Sequence, residues 1–443
     1  MQKFIRYLSL CLLLIFGIFD FVVAQKTKRP KIERSPQQTL LYTDHTYLPS
    51  IRSISVFPKG QEDSFPIIQL GSDDVLIASF DDLRADVRNL YFSLEFCNTQ
   101  WQTSTLSPLE YSEGYNEERI RSVHASMNTL QAYTHYSFTF PSEQVKPKLP
   151  GNYLLKVYED ADKRRLLFTR KVYFYAPQFN LVAEIGATSD PKWFSQHQKL
   201  DVVVQGTTQT SADPYRDVRL LVIQNQRNDI QQEALRPLIL RENEWVYNDL
   251  SAFSFGGGTE FRYLDLRSLL LPSQQMLSMV QERIWQINLY ADTPIKGAYA
   301  FTQDHNGRFF FRNMDRQEDP LVSDYAMVQF ELKEAGTPAN YPDGLFLLGG
   351  FNAYQIDPAY QLQYDPLSDS WKLETLLKQG VYDYTYSSLI NVENKTKPID
   401  QSFRETGNSY QLLLYVRRPG TTWDEILGYR TVFTGSPASG IRN

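Results

Sequence analysis

The sequence predicts an all-β protein built of tandem immunoglobulin-like β-sandwiches. Three observations predict this. From Leu90 to Asn98, Leu90, Phe92, Leu94 and Phe96 alternate with Tyr91, Ser93, Glu95 and Cys97, and a period of two marks a strand with one buried face. Apolar runs of strand length, separated by turn residues, recur along the whole chain, as in sandwiches. No long stretch with a 3.6-residue period lies between helix caps. The alternating strand and the apolar run Val75–Phe80 upstream read as antiparallel neighbours in one sheet.

The chain has 443 residues, enough for about three domains at ~150 residues each. Met1–Ala24 reads as a secretory signal peptide. Lys3 and Arg6 form its charged start, Leu8–Phe19 its apolar core, and Val22 and Ala24 the small residues before the cut, so Gln25 becomes the mature N-terminus. That core is shorter than the ~20 apolar residues a membrane span needs. Cys11 is a poor lipidation site: Leu10 precedes it, and it opens the apolar core instead of closing it. Cleavage takes the net charge from −6 to −7, which disfavours nucleic acid as a partner. One cysteine then remains, Cys97, too few for an internal disulfide; it reads as an inert structural thiol.

Residues 25–39 form a basic leader with Lys26, Lys28, Arg29, Lys31 and Arg34. It reads as a flexible extension, with attraction to anionic lipid or an acidic partner as the sharper alternative. Residues 40–176 read as a first sandwich of seven strands: Ile51–Phe57, Phe65–Leu70, Val75–Phe80, Leu90–Asn98, Tyr133–Phe140, Gly151–Tyr158 and Leu166–Tyr175. Ala161-Asp162-Lys163 reads as a hairpin tip. Asn98–Asn128 is a long polar connection, a length common in functional loops. Residues 177–333 read as a middle β-domain. In it, Phe253–Gly258 is a turn or bulge, since no Gly-Lys-Ser/Thr follows for a phosphate loop. Asp304-His305-Asn306-Gly307 signals a type I′ hairpin. Lys333–Gly344 reads as a linker, and residues 334–443 as a C-terminal β-domain.

No catalytic constellation follows. The five histidines never stand at metal-ligand spacing, and no nucleophile elbow, zinc-protease motif or dinucleotide fingerprint occurs. The pairs Asp73/Asp74 and Asp81/Asp82 are adjacent, so on a strand they point to opposite faces and make poor acid/base partners. They read as turn residues accepting local backbone N–H groups. His135, in Tyr133-Thr134-His135-Tyr136, reads as a strand position. No catalytic, metal or cofactor-binding residue is expected.

One set of segments does carry a likeness. In chain order they are Pro66–Ser72, Leu76–Leu83, Cys97-Asn98-Thr99-Gln100-Trp101, Tyr133–Tyr136, Gly151-Asn152-Tyr153 and Gln224-Asn225-Gln226-Arg227. Gly257-Gly258-Thr259-Glu260-Phe261-Arg262, Asp304–Gly307 and Lys378-Gln379-Gly380-Val381-Tyr382 follow. As an ordered set they resemble the plug protein family of the type IX secretion system of Bacteroidetes, with Thr259 where Asn is expected. The resemblance implies a non-enzymatic periplasmic protein on the inner face of the outer membrane. There it binds the translocon barrel and seals its periplasmic opening while no substrate is present. It implies no cofactor, no nucleic acid and no small-molecule substrate, and attachment to the membrane only through the protein partner. Leu345–Tyr386 is also similar to early-set immunoglobulin modules related to glycogen-binding domains, though Tyr354 stands where those carry Trp. The alternative function is therefore a glycan-binding accessory protein of the cell envelope. For the barrel interface the expected residues are Trp101, Tyr111 and Tyr115 of the long connection, because aromatic anchors carry most interface energy.

Overall fold

Leu90–Cys97 turns its predicted face inward: Leu90, Phe92, Leu94 and Phe96 are each at most 1% exposed. The computed structural model describes residues 33–316, 320–390 and 395–434. The expected signal peptide and most of the basic leader lie outside the described residues. Nearly every described element is a strand, and the strands form sandwiches in tandem.

The first sandwich packs two sheets. One has Leu90–Cys97, Gly151–Glu159 and Leu166–Tyr175 at its centre, with a hairpin turn at Asp160 and Ala161 (φ 56° and 55°) joining the last two. The other runs Ile51–Pro58, Leu76–Asp82, Thr134–Phe140, Ser122–Ala125. Leu76–Asp82 is thus not the sheet neighbour of Leu90–Cys97 that the sequence suggests. The two lie in opposite sheets, because both present an apolar face and those faces pack against each other. Phe80 meets Phe168 edge-on at 5.0 Å, and Phe92 stacks on Phe138 at 4.3 Å. The connection Asn98–Asn128 is partly ordered into a helical turn, Pro108–Tyr111, and short strands at Ser112–Glu113, Glu118–Arg119 and Ser122–Ala125.

The expected boundary at residues 333/334 cuts through a sheet. Tyr325–Lys333 pairs along its whole length with Ser370–Lys378, so Lys333–Gly344 is a connection inside a sandwich, not a linker between domains. The strands of residues 177–256 complete their own sandwich with the end of the chain. Val218–Gln224 pairs with Ser409–Val416, which pairs with Glu425–Phe433. The middle module is therefore discontinuous, and the third module, residues 262–398, is inserted between its two parts. Apolar pattern could place each strand but not its partner, and pairing between residues nearly two hundred apart leaves no local trace. At Asn306 and Gly307 both φ values are positive (53° and 81°), as a type I′ turn requires. The hairpin does not form, because Phe309–Phe311 pairs instead with Gly380–Ile390.

Candidate functional site: the seams between modules

The segments that carried the resemblance converge on the seams where modules meet. Each seam has its own chemistry.

The first and middle modules share a dry interface. Phe65, Ile67, Cys97, Trp101, Leu154 and Tyr173 of the first pack with Ile223, Leu413, Tyr415 and Ile426 of the middle. This explains part of why both faces of Gly151–Glu159 are buried: the core covers one, and on the other the middle module covers Asn152 and Leu154 while Glu95 and Glu117 of the first module meet Lys156 and Tyr158. Asn152 is the polar pin. Its Oδ1 accepts from the Tyr415 hydroxyl at 2.8 Å and its Nδ2 donates to the Asn98 carbonyl at 3.1 Å. Gly151 sits under Phe96, where an added Cβ would come within 2.6 Å of the ring.

The chain crosses between middle and third modules twice, side by side. Gly257 lies so close to the returning segment that a Cβ would be 1.9 Å from the Phe403 carbonyl oxygen. The Phe403 N–H donates to the Gly258 carbonyl at 2.7 Å. A buried amide network ties both crossings to the middle module. Asn408 Nδ2 donates to the Gly257 carbonyl (2.8 Å) and to Gln198 Oε1 (3.0 Å), and Asn225 Nδ2 donates to Asn408 Oδ1 (2.6 Å). Gln198 Nε2 donates to the carbonyls of Arg404 and Thr406. Arg227 pairs with Asp229 and covers the Tyr354 ring at 4.2 Å.

The first and third modules meet through charge. Asp81 is fully buried. Its Oδ2 accepts from Lys378 Nζ at 2.6 Å and from the Tyr325 hydroxyl at 2.7 Å, and its Oδ1 contacts His135 Nδ1 at 2.7 Å. Burial alone would push this carboxyl up, but Lys378 and His135 outweigh it and hold it below the usual carboxylate range. Lys378 Nζ also lies 4.3 Å from the Tyr133 ring centroid, and the Tyr133 hydroxyl donates to the carbonyls of Pro320 and Ser323. Asp81 therefore corrects the turn reading: it lies within the strand Leu76–Asp82, on the face opposite Leu76, Ala78 and Phe80, and points into the seam with the third module. Asp82, also buried, pairs with Arg84 at 2.6 Å. Two cavities flank this seam, of about 1190 Å³ and 370 Å³.

The expected interface residues separate. Trp101 is 8% exposed and meets Tyr173 edge-on at 5.4 Å, inside the dry seam. Tyr111 is 5% exposed and stacks on Phe96 at 6.0 Å in the first core. Both are corrections: the long connection folds back and spends these rings on packing. Tyr115 alone is open, at 85%. Cys97 is buried, and burial, with Glu95 nearby, pushes its thiol up to about 12. The aromatics a sugar site would need, Tyr354, Trp371, Tyr382, Tyr384 and Tyr386, are all buried. Among the described residues no group of three His, Cys, Asp or Glu could hold a metal ion.

A family model described as the type 9 secretion system plug protein 1st domain matches residues 51–176. The first module is thus similar to that plug protein domain. The resemblance read from the ordered segments is thereby borne out over that stretch. No curated protein matches the chain. A crystal structure of a hypothetical protein from Parabacteroides merdae is similar throughout: 26% identity, TM-score 0.83, covering 89% of this chain and 100% of that one. Collagen adhesin from S. aureus shows 8% identity over 90% of this chain and 94% of its own, with a TM-score of 0.13 that carries no argument.

The first module's link to the third through Asp81 and Lys378 is not legible in the sequence. A partial signal is present: Asp81-Asp82 directly continues the apolar run Val75–Phe80, and a carboxylate that extends a buried strand needs a cation opposite it.

Proposed function

We propose that this chain is a non-enzymatic periplasmic plug that binds the outer-membrane translocon barrel of the type IX system and seals its periplasmic opening when no substrate is present. The observation that carries the reading is the plug domain at residues 51–176. It is supported by the way that domain is built into a larger body: Pro36 onward is one compact unit, tied by buried seams on two sides. An obstruction has to keep its shape under load, and buried seams give it that. The chain reaches the periplasm by cleavage after Ala24. Attachment to the membrane is through the barrel alone. The glycan-binding reading loses support, because Tyr354 donates to the Gly307 carbonyl at 2.7 Å beneath Arg227 and offers no open ring.

The test is affinity purification of the tagged protein from outer membranes, paired with a deletion strain. The reading expects the barrel protein to co-purify, and the deletion to admit large solutes through the outer membrane. A tagged protein that leaves the membranes without the barrel, together with an unchanged permeability, overturns it.

A further inference from the structure

The three seams differ in one respect that decides how this body can move. Among the described residues, one buried apolar cluster spans the first and middle modules. Three of the other four clusters draw their buried residues from a single module, and the fourth joins Phe261 of the crossing to Phe346, Leu348 and Tyr354 of the third. Nothing comparable joins the third module to either neighbour. It is held to the middle module by two adjacent chain crossings, by Arg227 over the Tyr354 ring and by Arg308 against Gln226, and to the plug domain by ionic and hydrogen-bonded contacts beside two cavities, among them Arg312 with Glu62. Apolar surfaces that separate have no replacement partner in water, whereas ions and hydroxyls are rehydrated. Paired crossings bonded to each other at Gly258 and Phe403 permit rotation about a line and oppose translation.

We propose that the third module is a hinged flap. It swings away from the plug domain about Gly257–Gly258 and Phe403–Asn408, and the Asp81–Lys378 pair is the latch that keeps it closed. Opening parts the Tyr133 hydroxyl from Pro320 and Ser323, and the N–H groups of Leu130 and Gln131 from Asp324. It also parts the Met127 N–H from the Leu321 carbonyl, 2.8 Å apart. It leaves the dry seam intact. In the plug reading, on which this use of the hinge rests, a flap supplies the change of shape that lets the plug leave the opening. The hinge itself is a property of the isolated chain.

Hydrogen exchange of the isolated protein tests it, read by mass spectrometry over four regions. The variants are Lys378→Met and the double variant Asp81→Asn with Lys378→Met, which leaves no unpaired buried charge. Exchange in residues 126–133 and 320–325 rises at least tenfold in the double variant, while residues 152–155 and 412–415 keep wild-type rates. The single variant shows the same pattern, or unfolds, in which case the double variant decides. Exchange raised equally in all regions, or unchanged at 126–133 in a folded double variant, overturns the hinge. Because no barrel is present, failure here leaves the plug reading standing, and failure to co-purify with the barrel leaves the hinge standing.

Discussion

The ammonium of Lys378 lies 2.6 Å from the Asp81 carboxylate, with side chains 1% and 0% exposed, nearly three hundred residues apart in the chain. A buried pair of this kind contributes little net stability, but it is costly to break on one side, about 3–5 kcal/mol. Lys378→Ala should therefore lower unfolding free energy by roughly that amount. Asp81→Leu combined with Lys378→Met should recover most of the loss. Urea denaturation checks both, and a double variant no better than the single one would show that the pair itself stabilises the fold.

Tyr111 and Tyr115 stand four positions apart and should behave oppositely. Tyr111→Ala empties a site against Phe96 and Tyr153 and should cost about 3–5 kcal/mol, in the range of large aromatic truncations. Tyr115→Ala, at an 85% exposed position, should leave the denaturation midpoint within about 0.5 kcal/mol of wild type. A stable Tyr111 variant would remove the ring from the core.

Gly257 and Gly258 separate space from backbone strain. A Cβ at 257 has no room beside the Phe403 carbonyl, whereas at 258 it meets nothing within 4 Å but sits at φ +70°. Gly258→Ala should cost roughly 1–2 kcal/mol, the ordinary left-handed penalty. Gly257→Ala should cost more, about 3 kcal/mol, by forcing the crossings apart. Thermal unfolding that ranks them the other way would contradict the close approach.

Asp383 provides a pH signature. Its Oδ2 accepts from the N–H groups of His305 and Gly307, and its Oδ1 is buried without a partner. Burial, then neighbouring Asp304, pushes the carboxyl up to about 7. The folded state thus holds this proton more tightly than the unfolded one. The stabilising contribution is complete below the ordinary value of 3.8 and disappears as pH rises through about 7. Asp383→Asn keeps an acceptor for both N–H groups and removes the titration. Between pH 5 and pH 8 the wild type should lose about 1–3 kcal/mol relative to this variant. Equal slopes in paired denaturation series would count against it.

Much of the secondary structure was legible, because alternation and apolar runs report which residues are covered. Leu90–Cys97 and Gly151–Glu159 were placed within a residue or two. Sheet membership was not legible: Leu76–Asp82 and Leu90–Cys97 have equally apolar faces whether they lie side by side or face to face. Nor was the identity of what covers a residue. Trp101 and Tyr111 carry the composition of an interface, and only the folded chain shows that its own strands already occupy that role. The site was visible as segments without a role. Lys378, Gly257 and Asn408 acquire one only when distant parts of the chain are brought together.

The nesting of the third module inside the middle one has a consequence for biogenesis. Ribosomes release the chain from its N-terminus, so the strands of residues 180–256 emerge long before Ser409–Val416 and Glu425–Phe433, which close their sandwich. Until those arrive, Leu220 and Val222, both fully buried in the finished protein, face an empty place. A half-built sandwich with a bare strand edge invites aggregation. A ribosome that stalls, or a protease that cuts, after residue 408 would spare the third module's own strands and still leave the middle core without Tyr410, Leu412, Leu414, Val416 and Leu427.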